Sequence, residues 1–198
     1  RETLYMLGIS EGEDSWTFDN HLRLYDEDNL GYAGVADVNS PWGYQIAIED
    51  GNWGDVYKLG EGDANAGTLA FGTENNIPAP DGGLYFFDVS LKALTYKLTA
   101  LGSEIYVAGL NKLEDETWTF EPLPAATTAG VFSGSITITQ PSAWGFKIYL
   151  FDNNWDYVYG GNGGKLYYKG NGITDDATLA PGTYTLTVDL IHATYTIE

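Results

Sequence analysis

A chain of 198 residues with 43% hydrophobic and 15% aromatic content is long enough for two small cores or one larger one, and too apolar to stay disordered. Its formal net charge of -19, with only nine Lys and Arg, argues against nucleic acid and disfavours anionic polysaccharides, because a polyanion would be repelled. Cysteine is absent, which rules out disulfides and thiolate metal sites in these residues, and no apolar run approaches the length of a membrane-spanning helix.

Taken in chain order, the sequence reads as all-β. Twenty-five glycines and fifteen tyrosines, scattered among Thr and Val, suit short strands and tight turns, and no long stretch shows apolar residues at helical spacing. The chain opens on Arg1 rather than Met and is expected to be a fragment whose leader lies upstream or was removed. LYMLGIS (4–10) leads through the acidic SEGEDSW to Trp16; PWGYQIAIED (41–50) carries Trp42; EDGNWGDVY (49–57) carries Trp53; and GGLYFFDVSLKALTYKL (82–98) closes the first half. The second half repeats this series. IYVAGLN (105–111) precedes KLEDETW and Trp118, AWGFKIYLFD (143–152) carries Trp144, FDNNWDYVY (151–159) carries Trp155, and PGTYTLTVDLIHATYTI (181–197) ends it. The six tryptophans thus pair as 16 with 118, 42 with 144 and 53 with 155, and both halves form tandem homologous domains, residues 1–100 and 101–198. Seven or eight short strands in each hundred residues predict a β-sandwich of immunoglobulin-like size, without the immunoglobulin disulfide.

Strand parity assigns the first candidate core. In WGFKIYLF, Trp144, Phe146, Ile148 and Leu150 share one face and Lys147, Tyr149 and Phe151 the other, so Trp144 and its counterpart Trp42 are expected in the core. GTYTLTVDL likewise places Tyr184, Leu186 and Val188 on one face. Trp53 and Trp155 follow Asp-Gly-Asn and Asp-Asn-Asn, which tolerate the positive φ of a hairpin tip, and are expected to be exposed. A two-residue turn would send Trp155 back towards the core; a three-residue turn would leave it on the face of Lys147 and Tyr149. Trp16 and Trp118 are either the first residues of strands or platforms on loops. Exposed flat rings stack on the C–H faces of a neutral sugar, while neighbouring polar groups bond its hydroxyls.

The residues also bear on hydrolysis, on a calcium site and on a purely structural role. Twenty-eight acidic residues make paired carboxylates inevitable, but none stands out as the acid and base of glycoside hydrolysis; Asp152 and Asp156 read as turn residues, as does His192, which shares no neighbourhood with His21. YDEDNLG (25–31) has part of the spacing of a calcium loop, yet Leu30 replaces the third ligand and no glutamate closes it. The reading therefore includes no metal and no cofactor. Structural spacer domains without a ligand remain compatible with the fold.

The chain resembles the SusE and SusF type surface glycan-binding lipoproteins of Bacteroidetes starch-utilisation systems. The resemblance spans nearly the whole chain and rests on IYVAGLN…W, on WGFKIYLFDNNW…YGGNGGKL and on LAPGTYTLTVDLIHATYTI. It implies tandem non-catalytic carbohydrate-binding modules in which paired aromatics cradle a helical α-glucan and Lys or Arg with Asn bonds its hydroxyls. By position, Trp118 and Trp155 would be the platform, Lys147 a donor, and Lys169 with Asn171 the later polar pair. In the first copy Trp16 and Trp53 remain, Gln45 stands where Lys147 does, and Asn75 or Asn76 is a rough counterpart of Asn171, so the second copy is expected to be the stronger site. The resemblance further implies the outer face of a bacterial outer membrane, a lipid anchor through a cysteine outside these residues, a SusC/SusD-like TonB-dependent importer as partner, and starch or another neutral polysaccharide as ligand.

Overall fold

The computed structural model describes residues 1–10, 16–72, 74–114 and 116–198. The acidic stretch before Trp16 (residues 11–15), Thr73 and Asp115 of the KLEDET stretch lie outside them. The chain divides into two compact units, Arg1–Ala100 and Leu101–Glu198.

The fold is all-β. The first unit contains β1 (Thr3–Leu7), β2 (Asn20–Asp26), β3 (Gly31–Val38), β4 (Gln45–Ala47), β5 (Val56–Gly62), β6 (Ala66–Phe71), β7 (Gly83–Ser90) and β8 (Thr95–Ala100). The second contains β9 (Glu104–Ala108), β10 (Glu121–Pro124), β11 (Val131–Ile138), β12 (Lys147–Tyr149), β13 (Val158–Asn162), β14 (Lys165–Tyr168), β15 (Gly182–Asp189) and β16 (Thr194–Ile197), with one 3-10 turn at Asp175–Thr178. In the first unit the strands pair in one closed ladder, β1-β2-β3-β7-β8-β6-β5-β4 and back to β1. The second unit runs β10-β9-β12-β13-β14-β16-β15-β11, which is the same ring, strand for strand, opened between β10 and β11. Sequence explains the seam. β2 offers seven residues and pairs Arg23 with Ala33 and Leu24 with Tyr32 of β3, whereas β10 has four, two of them prolines, and meets β11 only through the bridge from Ala125 to Phe132.

The longest pairings build each core. β3 and β7 run antiparallel in register over eight pairs, including Tyr32 with Val89 and Val35 with Phe86; β11 and β15 do the same, including Phe132 with Val188 and Ile136 with Tyr184. Leu186 and Val188 are buried as parity predicts. The turns after β7 and β15 each hold a non-glycine residue in the left-handed region, Leu94 (φ 55°) and Ala193 (φ 53°). A side-chain cap supports each: Ser90 Oγ accepts the N–H of Ala93 at 3.0 Å, and Asp189 Oδ1 accepts that of His192 at 3.1 Å. In YDEDNLG, Asp26 accepts the N–H groups of Asp28 and Asn29, so that carboxylate serves its own hairpin.

The expected core positions of Trp42 and Trp144 are overturned. Phe146, Ile148 and Leu150 are buried, but Trp144 is 59% exposed and Trp42 is 74% exposed. Each tryptophan is followed by a glycine in the left-handed region, Gly43 at φ 82° and Gly145 at φ 71°, so alternation along the strand does not extend back across it. The backbones crowd there as well: a Cβ at Gly145 would lie 2.6 Å from the Ile173 carbonyl oxygen, and one at Gly172 would lie 2.2 Å from that of Trp144. Phe146 and Ile173 form an isolated bridge, as do Tyr44 and Ile77 in the first unit. Extended pairing starts after the glycine, and the indole before it is turned outward.

Candidate functional site

The hairpin that carries Trp155 has neither of the two turns the sequence allowed. β12 and β13 pair Tyr149 with Val158, Leu150 donates its N–H to the Tyr157 carbonyl at 3.0 Å, and residues 151–156 form a six-residue tip. Asn153 takes φ 51°, and Asn154 Oδ1 accepts the N–H of Asp156 at 3.0 Å, a side-chain turn that lets the tip be long. The tip folds Trp155 back over β12. Its ring lies edge-on to Tyr149 (centroids 5.2 Å, 75°) and Phe120 (5.4 Å, 83°) and tilted against Trp118 (5.6 Å, 54°), while Trp155 stays 55% exposed. Such edge contacts contribute about 0.5–1.5 kcal/mol each beyond buried area, so the ring is anchored although it faces solvent.

Trp118 is half-buried and sits on a glycine floor: a Cβ at Gly109 would lie 2.7 Å from its Cζ3. Trp16 has the same relation to Gly8, with 2.9 Å to its Cη2. Both are loop rings seated against the end of the first strand of their unit, which resolves the choice between strand start and loop platform towards the loop.

Trp118, Trp144, Lys147, Tyr149, Trp155, Val158, Asn171 and Gly172 line one cleft of about 420 Å³. Four of the five second-unit residues picked from sequence meet there: Trp118, Lys147, Trp155 and Asn171. Lys169 is placed elsewhere. It follows the end of β14 in the left-handed region (φ 57°), donates its N–H to Val158, and holds its Nζ 5.5 Å from the centroid of the Tyr168 ring. An extended strand would have put residues 169 and 171 on one face; the kink at Lys169 turns its side chain off the cleft.

The polar groups of the cleft are uncommitted. Lys147 is half-buried on β12, and neither its ammonium nor the side-chain amide of Asn171 has a hydrogen-bond partner among the described residues. The Asn171 backbone, by contrast, is fixed by accepting the Gly161 N–H at 2.9 Å. Sequence reasoning missed four members of the lining, Val158, Gly172, Trp144 and Tyr149, and the last two are aromatic. Trp144 was assigned to the core, although the Trp-Gly step in both copies was a signal that strand parity fails there. Tyr149 was placed on the correct face but given no part in the site. It is fully buried beneath Trp155, burial pushes its phenol up to about 12, and its hydroxyl has no partner among the described residues. A buried hydroxyl without a partner costs about 1–3 kcal/mol.

The first unit keeps the rings and changes the polar groups. Trp53 is 52% exposed and packs edge-on to Phe18 (5.0 Å, 79°), the counterpart of Phe120. The Leu59 N–H donates to the Asn75 carbonyl at 3.1 Å as that of Gly161 does to Asn171, so the backbone counterpart of Asn171 is Asn75, and that of Gly172 is Asn76. Gln45 stands where Lys147 does, but its Nε2 donates to Asn76 Oδ1 at 2.9 Å, and Asn76 Nδ2 donates to the Trp42 carbonyl at 3.4 Å. Ala47 occupies the position of Tyr149.

The model of a family described as Domain of unknown function (DUF8037) matches residues 2–100, half of the chain, and the chain belongs to that family. The matched residues coincide with the first unit. No curated protein matches the sequence. Among solved structures, SusF from Bacteroides thetaiotaomicron aligns over 99% of this chain and 47% of its own, with 16% identity and a TM-score of 0.36. The chain therefore spans less than half the length of that protein.

Proposed function

For this member of the DUF8037 family we propose non-catalytic binding of a neutral polysaccharide, starch or another α-glucan before others, by the cleft of the second unit. The observation that carries the proposal is the convergence of three tryptophans with two uncommitted polar side chains, Lys147 and Asn171, in one cleft of about 420 Å³. Indole faces cover the C–H surface of a pyranose and displace loosely held water; the ammonium donates to sugar oxygens, and the amide both donates and accepts. Stacking supplies affinity and the polar pair supplies orientation. The cleft is open, so each site binds modestly.

On this reading the units are tandem modules of the SusE/SusF kind, immunoglobulin-like sandwiches in which the eight-strand ladder wraps around the core. They hold the polymer on the outer face of a bacterial outer membrane, lipid-anchored through a segment outside these residues, and pass it to a SusC/SusD-like TonB-dependent importer. Affinity gel electrophoresis against amylopectin, levan, xylan and galactomannan tests the binding itself. Retardation in one gel establishes it and names the polymer. Unretarded migration in all four sinks the reading for these polymers and favours spacer domains.

A further inference from the structure

The hydroxyl of Tyr149 is the one polar group in the cleft lining that is both fully buried and without a partner among the described residues. The scaffold does not demand it. In the first unit the same strand position is Ala47, and Trp53 still folds over the hairpin there, so neither the fold nor the overlying indole requires a tyrosine beneath. A phenylalanine would fill the same volume and make the same edge contacts to Trp155 and Phe120 without burying an unpaired oxygen. Tyr44, the other tyrosine with an unpartnered buried hydroxyl, sits inside the core cluster of the first unit against Phe87. Tyr149 instead forms a wall of the cleft, with the Trp155 indole and the Phe120 ring packed on it.

Of these two rings, Trp155 is the one on a hairpin tip and is 55% exposed. The Trp155 side chain itself is held by ring contacts alone; its six-residue tip is fixed by the Asn154 N–H to the Phe151 carbonyl at 3.3 Å, the Asp156 N–H to Asn154 Oδ1 at 3.0 Å, and the Tyr168 hydroxyl of β14 to the Asp156 carbonyl at 2.8 Å. The hairpin is closed behind the tip by Leu150 and Tyr157, so the Trp155 side chain can turn about its own bonds without unpairing β12 from β13 or moving the Asp156 backbone. Resting on the reading of this cleft as a glycan site, we propose that the Tyr149 hydroxyl is a ligand-binding group, covered by Trp155 in the free protein and uncovered when the indole moves onto the bound sugar. The ligand hydroxyl then supplies the hydrogen bond that the free protein lacks. The first unit, with Ala47, has no such group, so the two units differ in what they ask of a sugar beyond stacking.

Tyr149→Phe tests this, introduced into a chain that carries Trp53→Ala so that retention reports the second unit. Retardation in the amylopectin, levan, xylan and galactomannan gels is measured with thermal melting of the same samples. The expected result is a melting temperature higher by a few degrees together with binding about tenfold weaker, opposite signs that loss of packing cannot give. Retention equal to that of the parent overturns this proposal and leaves glycan binding standing. A melting temperature below the parent's also overturns it, because the hydroxyl would then have a partner in the free protein. A parent that no gel retards overturns the glycan reading and this proposal with it.

Discussion

The two units share one order of eight strands and the same three tryptophans, yet they treat the space between those indoles differently. In the second unit Lys147 and Asn171 face the cleft without protein partners, and Gly172 leaves room beside them. In the first, Asn76 stands at the glycine position and takes the amide of Gln45 as its own hydrogen-bond partner. Aromatic rings alone therefore do not make equivalent sites. A polar group already bonded to its neighbour must give up that bond before it can serve a ligand, which cancels most of what the new bond would contribute.

The largest effect that separates the units is expected from Trp155→Ala. Removal of a central, anchored indole should weaken polysaccharide binding by about thirtyfold or more, whereas Trp53→Ala should change it little; equal losses in affinity gels would break the asymmetry. Because Trp155 also packs against three rings, its removal should cost about 1–3 kcal/mol in denaturant unfolding. Next in size is Lys147→Gln, which copies the first unit's residue and should weaken binding about tenfold. The reverse change, Gln45→Lys with Asn76→Gly, should give the first unit measurable retention in a chain already carrying Trp155→Ala; continued silence would show that the polar pair is not what divides the units. Tyr44→Phe places in the first unit the residue that the second has at Phe146 and should stabilise it by about 1 kcal/mol in a chemical melt, because a buried unpaired hydroxyl is removed. The smallest effect on stability is expected for Trp144→Ala, within about 0.5 kcal/mol, with weaker binding. A loss of several kcal/mol would return Trp144 to the core.

Much of this was legible in the sequence, and the limits of that legibility are local. The 102-residue spacing of the tryptophans identified the equivalent positions, and the alternation through Phe146, Ile148 and Leu150 identified a buried face. Both follow from strand periodicity, which is a property of neighbours along the chain. Trp42 and Trp144 escaped because periodicity ends where a glycine leaves the β region, and residue identity does not say which glycine will do so. The long tip before Trp155 escaped because its geometry depends on Asn154 capping Asp156, one of several turns that Asp-Asn-Asn permits. The mutual bond of Gln45 and Asn76 lay further out of reach still: the two residues are 31 positions apart and are brought together by the bridge between Tyr44 and Ile77.

The seam in the second ladder bears on behaviour at high concentration. An unpaired strand edge can template sheets between molecules, and the open ends of this ladder are β10 and β11; at β10, Pro122 and Pro124 carry no N–H to offer an incoming strand. The ring in the first unit has no such end. One copy thus removes its strand edges by closure, while the other keeps two and blunts one of them with proline.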